Sequence, residues 1–456
     1  MMLNKLWNHL TRRRKNQFWL LLILMVLASL AEIISLGALL PFLGVLTNPE
    51  GVYQNQFLQP LMQIFEITSA NQLILPLTIA FISAILFSAI IRILLLYVMT
   101  RLSFATGADL SFNIYRRTLY QDYSVHLSRN SSELINGIIG KTNTAIAGVL
   151  MPILTIISSV IMVIGVMAAL LTINTKIALI ASTGFIFIYL IVIFFTRKKL
   201  EENSQCIANQ STLMIKSLQE GLGGIRDVLL DGSQDFYCKL YRNSDLPFRR
   251  ASGENHFIAG SPRYIVESTG MILIVIIAYI FSQKDTGINN IIPVLGVFAF
   301  GAQRLLPTLQ QTYYSYSMIK GSKKSFNDVI NLLAQPLPGH VGQSQALPIP
   351  FERQIVLKDV DFRYSKESPL VLKNINLVVN KGSRIGIVGA TGSGKSTLLD
   401  IIMGLIPPTS GKMLVDNNII NKQNKRAWQA HIAHVPQEIY LSDGTIEENI
   451  AFGIPK

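Results

Sequence analysis

Six stretches of this chain run apolar for about 20 residues or more, the length a helix needs to cross a bilayer. They fall at residues 17–46, 72–100, 145–173, 176–195, 257–281 and 288–306. Half of the 456 residues are hydrophobic and the mean hydropathy is +0.39, which excludes an ordinary soluble protein. Six crossings would return the chain to the side on which it began. The first run follows a basic N-terminus, as a secretory signal would. It is too long for one, contains Glu32, and has no obvious small-residue cleavage site, so it reads as an uncleaved span.

Lysine and arginine set the orientation. Lys5, Arg12, Arg13, Arg14 and Lys15 precede the first run; Arg101, Arg116, Arg117, Arg129 and Lys141 lie between the second and third; a third basic segment occupies residues 197–250. Residues 48–70 hold neither Lys nor Arg, and the other alternate loops carry only Lys176 and Lys284. The rule places the basic loops and both termini in the cytoplasm. A net charge of +13 spread in this manner belongs to membrane flanks, and it argues against a nucleic-acid partner. Cys206 and Cys238 fall in a cytoplasmic loop and are expected to be neither disulfide nor metal ligands.

Beyond the last apolar run stands Gly389-Ala390-Thr391-Gly392-Ser393-Gly394-Lys395-Ser396-Thr397, which fits G-x-x-x-x-G-K-[ST]. Arg384-Ile385-Gly386-Ile387-Val388 before it reads as a buried strand, and residues 396–403 after it as a helix. Glycines allow successive main-chain N–H groups to turn toward phosphate oxygens, and a helix N-terminus adds its positive dipole end. In such a loop Lys395 would reach the β- and γ-phosphates of ATP and the Ser396 hydroxyl would ligate Mg²⁺. A glycine-rich turn before an ordinary helix is the plainer reading of the same string.

The two long cytoplasmic loops, 101–143 and 197–256, lack linker composition and are expected to prolong the membrane helices. Their tips, Tyr120-Gln121-Asp122-Tyr123 and residues 221–227, have the mixed character of docking turns. Residues 1–325 therefore read as the membrane domain, 326–350 as a helix and Pro/Gly/Gln-rich linker, and 351–456 as part of a nucleotide domain. Within the last, residues 355–364, 371–379 and 412–415 read as strands, and Asp416-Asn417-Asn418 as a turn.

Taken together, these residues resemble an ABC transporter half of the exporter type: an all-α six-span bundle followed by a partial α/β P-loop NTPase domain. The resemblance implies an ATP-hydrolysing translocase working as a homodimer in the bacterial inner membrane. It makes Tyr364, in Asp361-Phe362-Arg363-Tyr364, the adenine-stacking aromatic, and Gln437, in Val435-Pro436-Gln437, the residue that contacts Mg²⁺ and couples to the membrane domain. Residues 444–453 are similar to the segment that follows in exporters. The family's signature, Walker B strand with catalytic glutamate, and switch histidine would lie past Lys456. The expectation for these 456 residues is therefore ATP binding without a complete catalytic set or competent hydrolysis, as in a C-terminally truncated chain.

Arg92, Arg263 and Arg304 interrupt apolar runs at one depth in the cytoplasmic half of the bilayer. Guanidinium grips phosphate with paired donors, but these three also have Glu32 and Glu267 as possible partners. Residues 261–267 and 303–307 look like segments of bacterial lipid-linked oligosaccharide flippases, which implies that the arginines meet the pyrophosphate of a lipid-linked glycan. Phe57, Leu58, Leu61, Met62, Ile64 and Phe65 repeat at helical spacing, as in an outer interfacial helix. The alternatives are an exporter of another lipid, peptide or small molecule, or a nucleotide-regulated membrane protein that does not transport.

Overall fold

The computed structural model describes residues 2–47, 49–53, 69–173, 175–282, 288–342, 346–436 and 439–454. They form two compact units: residues 1–119 with 130–336, and residues 120–129 with 337–456.

The first unit is helical. A short helix α1 (Met2–His9) leads into α2 (Arg12–Thr47); α3 (Ile74–Leu119), α4 (Met151–Ile173), α5 (Thr175–Gly223), α6 (Gln234–Gly260), α7 (Pro262–Ser282), α8 (Ile288–Gly321) and α9 (Lys323–Leu333) follow. Among the described residues, the runs Arg12–Thr47, Ile74–Leu119 and Ser131–Thr172 are long and apolar enough to cross a membrane. All six apolar runs of the sequence fall largely within helices. At ~1.5 Å per residue the 46 residues of α3 and 49 of α5 extend about 70 Å, more than twice a hydrocarbon core. Both helices thus carry the chain well beyond their apolar stretches.

Helix α2 shows how such a sequence packs in lipid. Leu21, Met25, Ala28, Ser29, Glu32, Ser35, Leu36 and Leu39 recur at helical spacing and are buried, whereas Trp19, Leu20, Ile23, Leu27, Leu30 and Ile34 stand exposed. The small and polar residues are confined to the buried face, which they share with a row of leucines and Met25, and the exposed face is wholly large and apolar, as where lipid is the solvent. The helices approach closely: a Cβ on Gly107 of α3 would stand 1.9 Å from Ile146 Cδ1. Two π turns, at Gly137–Lys141 and Ile146–Leu150, precede α4. The helix expected at the start of 326–350 is α9, set off from α8 by a break at Ser322, and it buries Phe326, Val329, Ile330 and Leu333 in a core with Leu6, Ile114 and Val149.

The second unit holds a four-stranded antiparallel sheet ordered β2-β1-β3-β4, with β1 (Gln354–Phe362), β2 (Leu372–Asn380), β3 (Ser410–Val415) and β4 (Asn418–Ile419). Ile355, Leu357, Val360, Phe362, Leu372, Met413 and Val415 pack with Ile401 of α10 (Lys395–Ile402) and with Trp428, whose Nε1 donates to the Ile402 carbonyl at 2.7 Å. The strand expected at 384–388 is corrected: the segment joins no sheet, and Val388 is 96% exposed. A strand exists only through a neighbour's ladder, and among the described residues no strand pairs with this one.

Candidate functional site

The glycine loop lies between the unpaired segment 384–388 and α10. Gly392 and Gly394 adopt φ of +81° and +88°, the left-handed region that side chains avoid. At Gly394 a Cβ would also stand 2.9 Å from Leu372 Cδ2 and 3.2 Å from the Val371 carbonyl oxygen, so a side chain there would be crowded as well as strained. The Ser393 amide donates to the Ala390 carbonyl at 3.2 Å, closing the loop, and Gly394 caps α10. Lys395 Nζ folds back to donate to the carbonyls of Gly389 and Ala390 at 2.8 and 2.9 Å. Its ammonium thus lies across the loop, over the ground a terminal phosphate would take. Ser396 is exposed beside it, and Thr397 is buried.

These residues fit a nucleotide's phosphates: the left-handed glycines, the loop too crowded for a Cβ at 394, the helix N-terminus and the lysine concentrate donors on one anion. Gly389, Ala390, Thr391, Gly392, Ser393 and Gly394 would supply main-chain contacts. Lys395 and Thr397 would complete the cradle, and Ser396 offers a hydroxyl to Mg²⁺. Tyr364 is 55% exposed and anchored at its far end, where its hydroxyl hydrogen-bonds to Thr397 Oγ1 at 2.8 Å. Its ring meets Phe362 edge-on at 4.9 Å. The anchored ring leaves a face free at the start of the loop helix. Gln437 lies outside the described residues, as does the segment from Phe57 to Phe65.

The sequence reading misses the burial of Asp400 in this unit and the partner of Asp122, although it marks the tip that carries Asp122 as a docking turn. Asp400, one turn into α10, has its carboxyl pushed above the usual range by burial, against the opposing pull of His434. The tip residue Asp122, grouped with this unit, is ion-paired to Lys425; the hydrogen bond from that lysine holds its carboxyl below the usual range. Nothing in the local string around Asp122 names a partner 303 positions away.

The arginines of the membrane unit fall into two groups. Arg304 Nε lies 2.7 Å from Glu32 Oε1, and Arg92 Nη1 lies 3.8 Å from the same oxygen. Ser88 Oγ donates to the other carboxylate oxygen. Glu32 is 1% exposed, and the arginines and Ser88 are the polar partners that offset the cost of burying its carboxyl group. Arg304 is further covered by the Phe300 ring, 5.2 Å from its guanidinium carbon. Arg263 stands apart, paired with Glu267 on its own helix at 2.7 Å; Gln310 Nε2 also donates to Glu267 at 3.4 Å.

A cavity of about 530 Å³ opens beside Glu32. Arg92 and Glu32 line it together with apolar Met25, Leu96 and Met99 and the hydroxyls of Ser158 and Thr308. Ser88 and the hydroxyl-bearing residues carry no signal in the sequence that separates them from ordinary helix-packing residues.

Comparison with known proteins follows the same division. The family model for the ABC transporter transmembrane region matches residues 19–300, and the one described as ABC transporter matches residues 372–454, which include the glycine loop. The heterocyst differentiation ATP-binding protein HepA of Nostoc sp. is 26% identical over 99% of this chain and 74% of its own length. An ATP-dependent lipid A-core flippase of Cupriavidus pinatubonensis is 22% identical over 78% of this chain and 60% of its own length. The structure of a bacterial Atm1-family ABC exporter with ATP bound superposes with a TM-score of 0.70 at 20% identity, covering 98% of this chain and 75% of that one, a likeness of fold. With its membrane region matched over more than half of its length and the ATP-binding region following in the same polypeptide, this chain belongs to the ABC transporter family, in the exporter arrangement.

Proposed function

We propose that this protein is one half of a homodimeric, ATP-driven exporter or flippase that moves an anionic amphiphile, such as a lipid-linked oligosaccharide, outward across the bacterial inner membrane through six spans per chain. The observation that carries the reading is the charge balance beside the 530 Å³ cavity. Glu32 holds one negative charge against the two guanidinium groups of Arg304 and Arg92. Arg304 is the closer partner and is shielded by Phe300; Arg92, 48% exposed and farther from the carboxylate, is the surplus cation on a wall of apolar and hydroxyl-bearing side chains. An apolar chain with a phosphate-bearing head matches that lining. Arg263, already satisfied by Glu267, is the weakest of the three as a ligand for phosphate. Lipid A-core flippases among the relatives support a lipid substrate.

In the second unit, Lys395 would exchange its two carbonyl partners for phosphate oxygens, Tyr364 would stack on the base, and Ser396 with Gln437 would hold Mg²⁺. ATP, when bound, supplies a transferable phosphoryl group whose hydrolysis can drive transport. Asp122, held by Lys425 within that unit, sits on the segment continuous with α3, which supports a mechanical link from nucleotide to membrane helix.

The test is ATP-dependent translocation in proteoliposomes of a fluorescent polyprenyl-linked sugar bearing phosphate, beside an uncharged analogue. The expected result is movement of the anionic lipid only, weakened about tenfold or more by Arg92→Ala. Equal translocation of the uncharged analogue would reject an anionic substrate.

A further inference from the structure

The N-terminal end of the first unit contains a second cavity, of about 310 Å³, that the transport reading does not use. It is lined by α1, the first turns of α2 and the start of α4, through Leu6, Trp7, Trp19, Leu150, Leu154 and Ile157 among others, all apolar. Leu6 of helix α1 and Leu10 just after it are buried, and Asn8 between them is exposed. Trp7 is held in place by Phe18, at 6.1 Å between rings, and by the Lys15 ammonium 5.8 Å from its ring.

Directly after α1 comes Arg12-Arg13-Arg14-Lys15, at the N-terminus of a helix of 36 residues. Two of the four cations are engaged: Arg14 with Asp109 at 2.7 Å, and Lys15 with Trp7. Arg12 and Arg13 are exposed, and among the described residues neither has an acidic partner. Arg12 and Arg13 do not line this apolar slot but stand in the chain between two residues that do, Leu10 and Phe18, at the amide-rich start of a helix and near the slot's two indoles in sequence, a residue type the bilayer's interface favours.

We propose that this slot binds one anionic phospholipid, its acyl chain lying along Trp7, Leu150 and Ile157 and its phosphate-bearing headgroup held by Arg12 and Arg13. Charge complementarity selects this occupant over an amphipathic peptide, because the slot's lining side chains are all apolar, while the adjoining run Arg12-Arg13-Arg14-Lys15 carries four cations against the single carboxylate of Asp109 paired with Arg14. The proposal depends on neither nucleotide binding nor transport.

The chain contains three tryptophans, and the third, Trp428, is buried in the second unit's core, so indole fluorescence reports on this slot. The full-length protein carrying Trp19→Phe, which leaves Trp7 as the slot's indole, is placed in phosphatidylcholine nanodiscs. It is then titrated with phosphatidylglycerol or phosphatidylcholine whose acyl chains are dibrominated. Brominated phosphatidylglycerol should quench at a roughly 30-fold lower mole fraction. Arg12→Gln with Arg13→Gln, both exposed and harmless to folding, should bring the two lipids within a few-fold of each other. Ile157→Phe, which fills the slot, should weaken quenching by both. Equal quenching by the two lipids in the Trp19→Phe protein would overturn the proposal, as would a preference that survives loss of both arginines; either result would leave the slot to bulk lipid or a peptide.

Discussion

The glycine loop of the second unit and the Glu32 cluster of the first both manage charge, by opposite means. The loop gathers its donors from neighbouring main-chain positions, and its shape is set by glycines with φ near +85°. The cluster gathers side chains from residues 32, 88, 92 and 304, on three helices, around a carboxyl group that is 1% exposed. One is a local device that a short string can encode; the other exists only after the helices have packed. Removal of one member should therefore cost stability in the cluster, and binding in the loop.

The largest expected effect breaks the cluster. Glu32→Ala leaves Arg304 without its close partner in a partly buried setting, and about 3–5 kcal/mol of the first unit's stability should be lost. Thermal unfolding in detergent measures it. Adding Arg304→Ala should recover part of the loss, and a single variant as stable as the parent would mean that water or lipid already satisfies the arginines. Lys395→Ala tests the opposite expectation in the loop: retention of a labelled ATP analogue should weaken by about 10- to 100-fold, with the first unit's melting temperature unchanged. A shift in that melting temperature would show that the lysine's role is structural.

Gly394→Ala lies between these two cases, since it adds backbone strain and a contact with Leu372 at the same position. A loss of about 1–3 kcal/mol in the second unit, together with weaker nucleotide retention, is expected from hydrogen exchange over β2 and α10. The smallest effect concerns Asp416, which turns at φ +53° and accepts main-chain N–H bonds from Glu352, Gln354 and Arg353. Those bonds, led by that of Glu352, hold its carboxyl below the usual range. Its contribution is therefore present above the unfolded aspartate pKa near ~3.9 and lost as pH falls through the lower folded value. In the Asp416→Asn variant this acid-dependent loss should be absent, as acid titration of the second unit's unfolding would show.

The helical character of the apolar runs and the extension of two of them far past any bilayer follow from composition, and β1, β2 and β3 from alternation ended by turn residues. The break between α6 and α7 was legible too, since Gly260-Ser261-Pro262 sets a proline at the first position of α7, whereas the one at Ser322 has only Gly321 before it to mark a helix end. Residues 384–388 have strand composition yet pair with nothing among the described residues, since a strand's hydrogen bonds belong to its neighbour as much as to itself. Glu32 was visible as a charge in an apolar run, but whether Arg92, Arg263 or Arg304 would answer it depended on how α2, α3, α7 and α8 pack.

The amino-acid string alone determined the periodicities and the local geometry: apolar helices long enough for lipid, a loop that only glycines can fold, and a helix beginning at Lys395. Tertiary structure alone decided which charges meet: Arg304 on Glu32 while Arg92 faces the cavity, Lys425 on Asp122, and Arg12 and Arg13 exposed with no acidic partner among the described residues. The reason is range. Backbone conformation responds to residues a few positions away, whereas an ion pair forms between whatever groups packing brings within about 4 Å, however distant they are along the chain.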